Sequence, residues 1–255
     1  MRPNKIKQMW RDGKFVTLGW LSVSHGFTAE VMARQGFDAL CVDMQHGTTD
    51  MNDVWPMLQA ISQTDTVPVV RVPWNDPPTI MKALDLGAYG IIVPLINTAE
   101  DAAKAVAACR YPPVGMRSSG PVRAVHYGGS DYLAKANDEI VIMAMIETKE
   151  GLANLDAICA TKGLDAVYIG PSDLSFALGM APRGDNPDPV HIATCDKIRE
   201  AAHKHGIKAV MHCASAAFAA GAVKRGFDMV MLTSDLASMI AGARKQLDDL
   251  KAATA

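Results

Sequence analysis

Glu147 closes the apolar run Ile140–Ile146, and Asp173 follows the Gly170–Pro171–Ser172 turn that comes directly after the run DAVYIG. Carboxylates delivered from the ends of two adjacent buried strands aim at one point. Oxygen-only ligation of that kind suits a hard divalent ion such as Mg2+ or Mn2+, with other coordination positions left to water and substrate. Structural uses compete with this reading: a Glu after an apolar run can pair with an arginine, and an Asp after Ser can cap a helix. Arg71 lies within VPVVRVP, where a guanidinium needs an anionic partner to offset its desolvation. A keto acid or its enolate would serve, and so would a neighbouring carboxylate. Asp43 ends ALCVD and leads into His46 and Gly47. Histidine is the usual side chain for moving protons near neutral pH, although a loop histidine can equally be structural or exposed.

Other polar residues carry less information. His212 ends a further strand-like run, His25 precedes Gly26, and His203 and His205 lie at a helix end where a cation complements the dipole. Arg117 and Arg123, in GMRSSGPVR, are candidates to hold a distal anionic group of a substrate, with solvent exposure as the alternative.

These residues need a frame that brings strand ends together. Eight short apolar runs supply it: residues 16–20, 39–43, 67–72, 90–95, 140–147, 165–170, 207–212 and 228–233. Between them lie amphipathic stretches such as 77–86, 99–109, 152–160, 189–205 and 215–225, the crossovers that parallel strands require. Near-continuous apolar strands imply burial on both faces, as in a closed barrel or a doubly wound sheet. QGFDALCVD, LGAYGIIVP, KGLDAVYIG and RGFDMVMLT repeat a glycine ahead of strands two, four, six and eight. An alternate-strand likeness fits a barrel interior, although any helix-to-strand turn can use such a glycine. At 255 residues the chain has the length of one (β/α)8 TIM barrel, so a single domain over 1–255 is expected. Functional groups then stand at the carboxyl ends of the strands. The Pro-, Gly- and Arg-rich segment 111–129 is long enough for an active-site loop.

Composition narrows the partners. A net charge of −2 with scattered Lys and Arg prepares no surface for nucleic acid. No apolar run approaches the roughly 20 residues that span a bilayer. The opening MRPNKIKQMW lacks a secretion signal, and five cysteines form no C-x-x-C pair, so a reducing, cytoplasmic location is expected.

At GFDALCVDMQHG, VPVVRVP, ALDLGAYGIIVP, GMRSSGP, IETKEGLANLDAI and IGPSDLSFALG the chain resembles the 4-hydroxy-2-oxoheptanedioate aldolase and 2-dehydro-3-deoxyglucarate aldolase family, the metal-dependent pyruvate aldolases. The stretches occur in family order across most of the chain. The resemblance implies Glu147 and Asp173 as ligands of Mg2+, Mn2+ or Co2+, His46 as acid/base and Arg71 facing the enolate oxygen. It implies that Gly170, Pro171 and Ser172 cradle a pyruvate carboxylate, and that Asp43 and Asp85 support His46, with Asp85 reaching across from a neighbouring subunit. A homohexamer with the last helix exchanged between paired barrels is expected, acting on a 2-keto acid and an aldehyde. The chain departs from the family at Gln45, where Glu is usual, and at Met145, where Gln is frequent. Competing readings are a Schiff-base aldolase, a related metal-dependent lyase or decarboxylase acting on a CoA thioester or another enolate precursor, and a noncatalytic keto-acid-binding barrel.

Overall fold

The computed structural model describes residues 1–254. Eight parallel strands close into a barrel in chain order: β1 (Val16–Leu21), β2 (Ala39–Asp43), β3 (Val67–Arg71), β4 (Gly90–Val93), β5 (Val141–Ile146), β6 (Ala166–Ile169), β7 (Lys208–His212) and β8 (Met229–Ser234). β8 pairs with β1 to complete the ring. Every residue of β2 to β6 is buried. That explains the unbroken apolar runs: one face fills the barrel and the other meets the helices.

The crossovers match the amphipathic stretches closely, including Pro77–Asp85, Ala99–Cys109, Pro189–Lys204 and Ala216–Lys224. The stretch expected as one helix over 152–160 is instead two short ones, Lys149–Ala153 and Leu155–Cys159, meeting at Asn154. Gly36, Gly87, Gly163 and Gly226 all have positive φ, from +90° to +101°. The repeated glycine therefore marks a real left-handed turn before each even strand.

Register places chemistry at the strand ends. Asp43 lies opposite Arg71, and Ile146 lies opposite Ile169, so the residues that follow, Glu147 and Gly170, are neighbours. The last helix, Asp235–Thr254, buries only Asp235 and leaves Leu236, Met239, Ile240, Leu247 and Leu250 exposed. All five cysteines are buried and free. Among the described residues no helix is long and apolar enough to cross a membrane.

Candidate active site

A cleft of about 310 Å³ opens at the carboxyl ends of the strands. Arg71, Glu147, the Gly170–Asp173 turn and His46 all line it. These groups come from four separate βα junctions, and only barrel closure brings them together.

Glu147 is 3% exposed. Its Oε1 accepts the Leu95 N–H at 3.0 Å, which fixes the carboxyl plane. Leu95 donates from a left-handed backbone at φ 53°, in the turn just after β4. Burial pushes the Glu147 carboxyl up to about 7, with the charge of Asp173 adding and the Leu95 N–H opposing. No cationic side chain is within ion-pair distance of Glu147 or Asp173 among the described residues, so the arginine-partner alternative does not apply. The second oxygen, Oε2, has no protein donor and lies against Gly170, where a Cβ would overlap it. A buried carboxylate with an unpartnered oxygen, close to a second carboxylate, is a donor set that fits a hard cation. No group of three His, Cys, Asp or Glu side chains is poised around one ion among the described residues. Water and substrate would complete the coordination. Asp173 is exposed in the first turn of the helix Pro171–Ala177, which has no side-chain cap.

Arg71 is held by Asp43. Its Nε and Nη2 donate to the two carboxylate oxygens at 2.8 and 2.7 Å, the planar bidentate arrangement that lysine cannot make. The pair is almost wholly buried. Burial opposes both charges, but the mutual hydrogen bonds prevail, holding the Asp43 carboxyl below its usual range and the guanidinium above its own. Nη1 has no protein partner and is not a buried atom, so it is available to the cleft. Asp43 also accepts the Trp20 indole N–H at 3.3 Å and the backbone N–H groups of Gln45 and His46 at 3.0 and 3.5 Å. It supports His46 through the backbone of the loop, not through the imidazole, which is exposed at the cleft.

Three expected site residues are not brought together with these. The side chain of Arg117 is fully buried, donating to Asp85 at 2.7 Å and to the Tyr132 hydroxyl at 3.1 Å. Arg123 donates to the Leu86 carbonyl and the Ser62 hydroxyl. Neither lines the mouth cleft, and neither presents a free cation to a distal acid there. Segment 111–129 is irregular over 111–122 and helical at Arg123–Gly128, and it contributes no residue to the lining of the mouth cleft. Asp85 lies on the outer helix Pro77–Asp85, beside a separate groove with Trp55 and Arg123.

The cleft also contains Trp20, which motif spacing does not single out, together with His212, expected at a strand end without an assigned role, and Met145. Trp20 lies beneath the Arg71 guanidinium, 4.7 Å from ring centroid to Cζ. His212 meets Trp20 edge-on at 5.0 Å and reaches the Tyr168 hydroxyl at 2.7 Å. Met145, at the position where the family frequently has Gln, puts a thioether beside the carboxylates. No lysine lines the cleft among the described residues. Lys208 is at the opposite end of β7, paired with Asp228 at 2.9 Å, and Lys149 is exposed beyond Glu147.

The family model for HpcH/HpaI aldolase/citrate lyase matches residues 17–242. A hydroxypyruvate/pyruvate aldolase of Rhizorhabdus wittichii is 43% identical over 249 residues, 98% of this chain and 99% of that protein. A 5-keto-4-deoxy-D-glucarate aldolase of Salmonella paratyphi C is 36% identical over 98% of this chain and 97% of its own length. A solved HpcH/HpaI aldolase/citrate lyase family protein of Burkholderia cenocepacia superposes with a TM-score of 0.90 at 32% identity, covering 97% of this chain and 99% of that one. With full-length relatives of this kind and a barrel of the same shape, the chain belongs to the HpcH/HpaI aldolase/citrate lyase family.

Proposed function

We propose that the protein is a divalent-metal-dependent aldolase that reversibly cleaves 4-hydroxy-2-keto acids to pyruvate, or a related 2-keto acid, and an aldehyde. The observation that carries this is the buried, unpaired Glu147 carboxylate beside Asp173, opening on the same cleft as Arg71 and His46. Glu147 and Asp173 would hold the cation, which supplies Lewis-acid charge to the keto-acid oxygens when bound. The backbone turn Gly170–Ser172 is shaped for the substrate carboxylate: Gly170 leaves room, and the helix start has no side-chain cap. Arg71, locked in orientation by Asp43, directs Nη1 at the oxygen that gains negative charge as the carbon–carbon bond breaks. A preorganised donor of this kind acts most strongly where charge develops. His46 takes the 4-hydroxyl proton on cleavage and returns it on addition. The names of the Rhizorhabdus and Salmonella relatives, a hydroxypyruvate/pyruvate aldolase and a 5-keto-4-deoxy-D-glucarate aldolase, support an aldol reaction on a keto acid.

The test is a screen of aldehydes against pyruvate and hydroxypyruvate with Mg2+, Mn2+ or Co2+, read by product formation. Chelation should abolish turnover and a divalent ion restore it. Full activity of thoroughly demetallated protein, or trapping of substrate by borohydride, would replace this reading with a Schiff-base one. Turnover of CoA thioesters with none of free keto acids would move the protein to the lyase branch.

A further inference from the structure

Tyr168 on β6 is fully buried, and its hydroxyl meets Nδ1 of His212 at 2.7 Å, its one side-chain partner among the described residues. If Nδ1 carried the ring proton, the phenol O–H would be buried without an acceptor, a costly arrangement. The phenol therefore donates to Nδ1. In the neutral ring the remaining proton then sits on Nε2. The ring is neutral near pH 7 because burial, with the Arg71 charge adding and Asp43 opposing, pushes the imidazolium down to about 4. Nε2 has no protein partner and is not a buried atom, and His212 lines the mouth cleft, so the N–H faces that space. The edge-on Trp20 contact holds the plane of the imidazole.

The surroundings restrict what this donor can meet. Trp20, Met145, Met231 and Ala214 line the cleft beside it, with the neutral hydroxyl groups of Ser22 and Ser234. Arg117 and Arg123, the candidate cations for a distal acid, are committed elsewhere. With the Arg71 guanidinium already paired with Asp43, a neutral donor among neutral wall groups matches a neutral acceptor better than a second carboxylate. We infer that His212 Nε2–H donates a hydrogen bond to a hydroxyl oxygen on a substrate carbon beyond the keto-acid group, which makes the enzyme selective for hydroxylated substrates. This rests on the aldolase reading above. The hydroxyl is carried either by C3 of the keto acid or by the carbon next to the aldehyde.

Four substrate pairs distinguish these sources: pyruvate or hydroxypyruvate, each with acetaldehyde or glycolaldehyde. In His212→Phe the ratio of kcat/KM for hydroxylated over plain substrate should fall roughly tenfold, the scale of one neutral hydrogen bond. A fall in the keto-acid comparison places the hydroxyl on the donor; a fall in the aldehyde comparison places it on the acceptor. Because His212→Phe strands the Tyr168 hydroxyl, the double variant His212→Phe/Tyr168→Phe removes both partners and should show the same selectivity with better folding. Nitrogen-15 NMR of histidine-labelled protein, with His212 assigned by its loss in the variant, should show the Nε2–H tautomer. Unchanged ratios in both comparisons, or an Nδ1–H tautomer, would overturn the inference. Absence of turnover by the wild-type protein with all four pairs would remove the aldolase reading and this inference with it.

Discussion

Arg71 and His46 line one cleft, and the proposed reaction gives them different atoms to act on, which separates their variants. In the proposed reaction Arg71 faces the oxygen common to aldol cleavage, pyruvate proton exchange and oxaloacetate decarboxylation, so Arg71→Ala should impair all three. The proposed role of His46 is to handle a hydroxyl proton that oxaloacetate lacks. His46→Ala should therefore lower aldol turnover by about 10²–10⁴-fold while sparing decarboxylation. Equal losses in the two reactions would remove His46 from proton transfer. Arg71→Lys keeps a charge but cannot grip both Asp43 oxygens, so it should recover only part of the loss. His212 predicts a pH dependence of stability. Above pH 6.5 the ring is neutral in both folded and unfolded chains, and its linkage contributes nothing. Below that, the unfolded ring takes a proton that the folded ring refuses until about pH 4, so stability is lost as pH falls through this window. The loss attributable to His212 is on the order of 3 kcal/mol. Urea melts at pH 7 and pH 4 on wild type and the His212→Phe/Tyr168→Phe variant should differ by that amount in the stability lost between the two pH values; parallel profiles would contradict the neutral ring.

At the scale of elements, two joints carry the site. One is the adjacency of the β5 and β6 ends, where Gly170 lets Glu147 sit against the backbone. Gly170→Ala should displace the Glu147 carboxylate, weakening Mn2+ binding in calorimetry and lowering activity while the barrel remains folded. Unchanged Mn2+ affinity would mean that Glu147 Oε2 is not a ligand. The other joint is Arg117, which ties segment 111–129 to the helix Pro77–Asp85 through Asp85 and to the helix Tyr132–Glu139 through Tyr132, and stacks 4.5 Å from the Tyr111 ring. Arg117→Ala leaves a partly buried carboxylate without its partner and should cost about 3 kcal/mol in urea unfolding. A stable variant with altered substrate preference would restore the arginine to substrate binding. These joints show what the sequence could reveal. The eight strands were legible to within a few residues because burial on both faces writes an unbroken apolar run, and the cleft carboxylates were legible because they interrupt it. The destination of Arg117 was not, since a guanidinium in a Pro- and Gly-rich segment reads alike whether it faces solvent, substrate or Asp85. Tyr168 and Trp20 were hidden for the opposite reason: within a β-rich run an aromatic looks like core, and only the register shows that its polar atom reaches His212 or Asp43. The break at Asn154 also left no mark in the amphipathic pattern.

At the scale of the molecule, the last helix presents Leu236, Met239, Ile240, Leu247 and Leu250 to solvent in the single chain, more apolar surface than a 20-residue helix needs for solubility. An assembly covering that helix is the expected active form, and sedimentation should show a species larger than the 27.3 kDa monomer. Assembly also bears on Asp85, which is remote from its own mouth cleft and borders an outer groove of about 950 Å³ with Trp55 and Val122 exposed beside it. If Asp85 serves the cleft of a neighbouring subunit, each complete site combines residues of two chains. That arrangement makes a complementation experiment decisive. Glu147→Ala and Asp85→Ala proteins should each be nearly inactive alone, the first for want of a ligand and the second for want of the carboxylate delivered across the interface. Dissociated, mixed in equal amounts and reassembled, they should recover activity, because some sites then receive an intact Glu147 from one chain and an intact Asp85 from the other. Random pairing makes about a quarter of the sites complete. Asp85→Asn, which can retain a hydrogen bond to Arg117, separates this role from loss of the Arg117 anchor: it should stay folded and still complement Glu147→Ala. Two inactive proteins that stay inactive after mixing, despite reassembly confirmed by sedimentation, would show that Asp85 acts within its own chain as the anchor of Arg117.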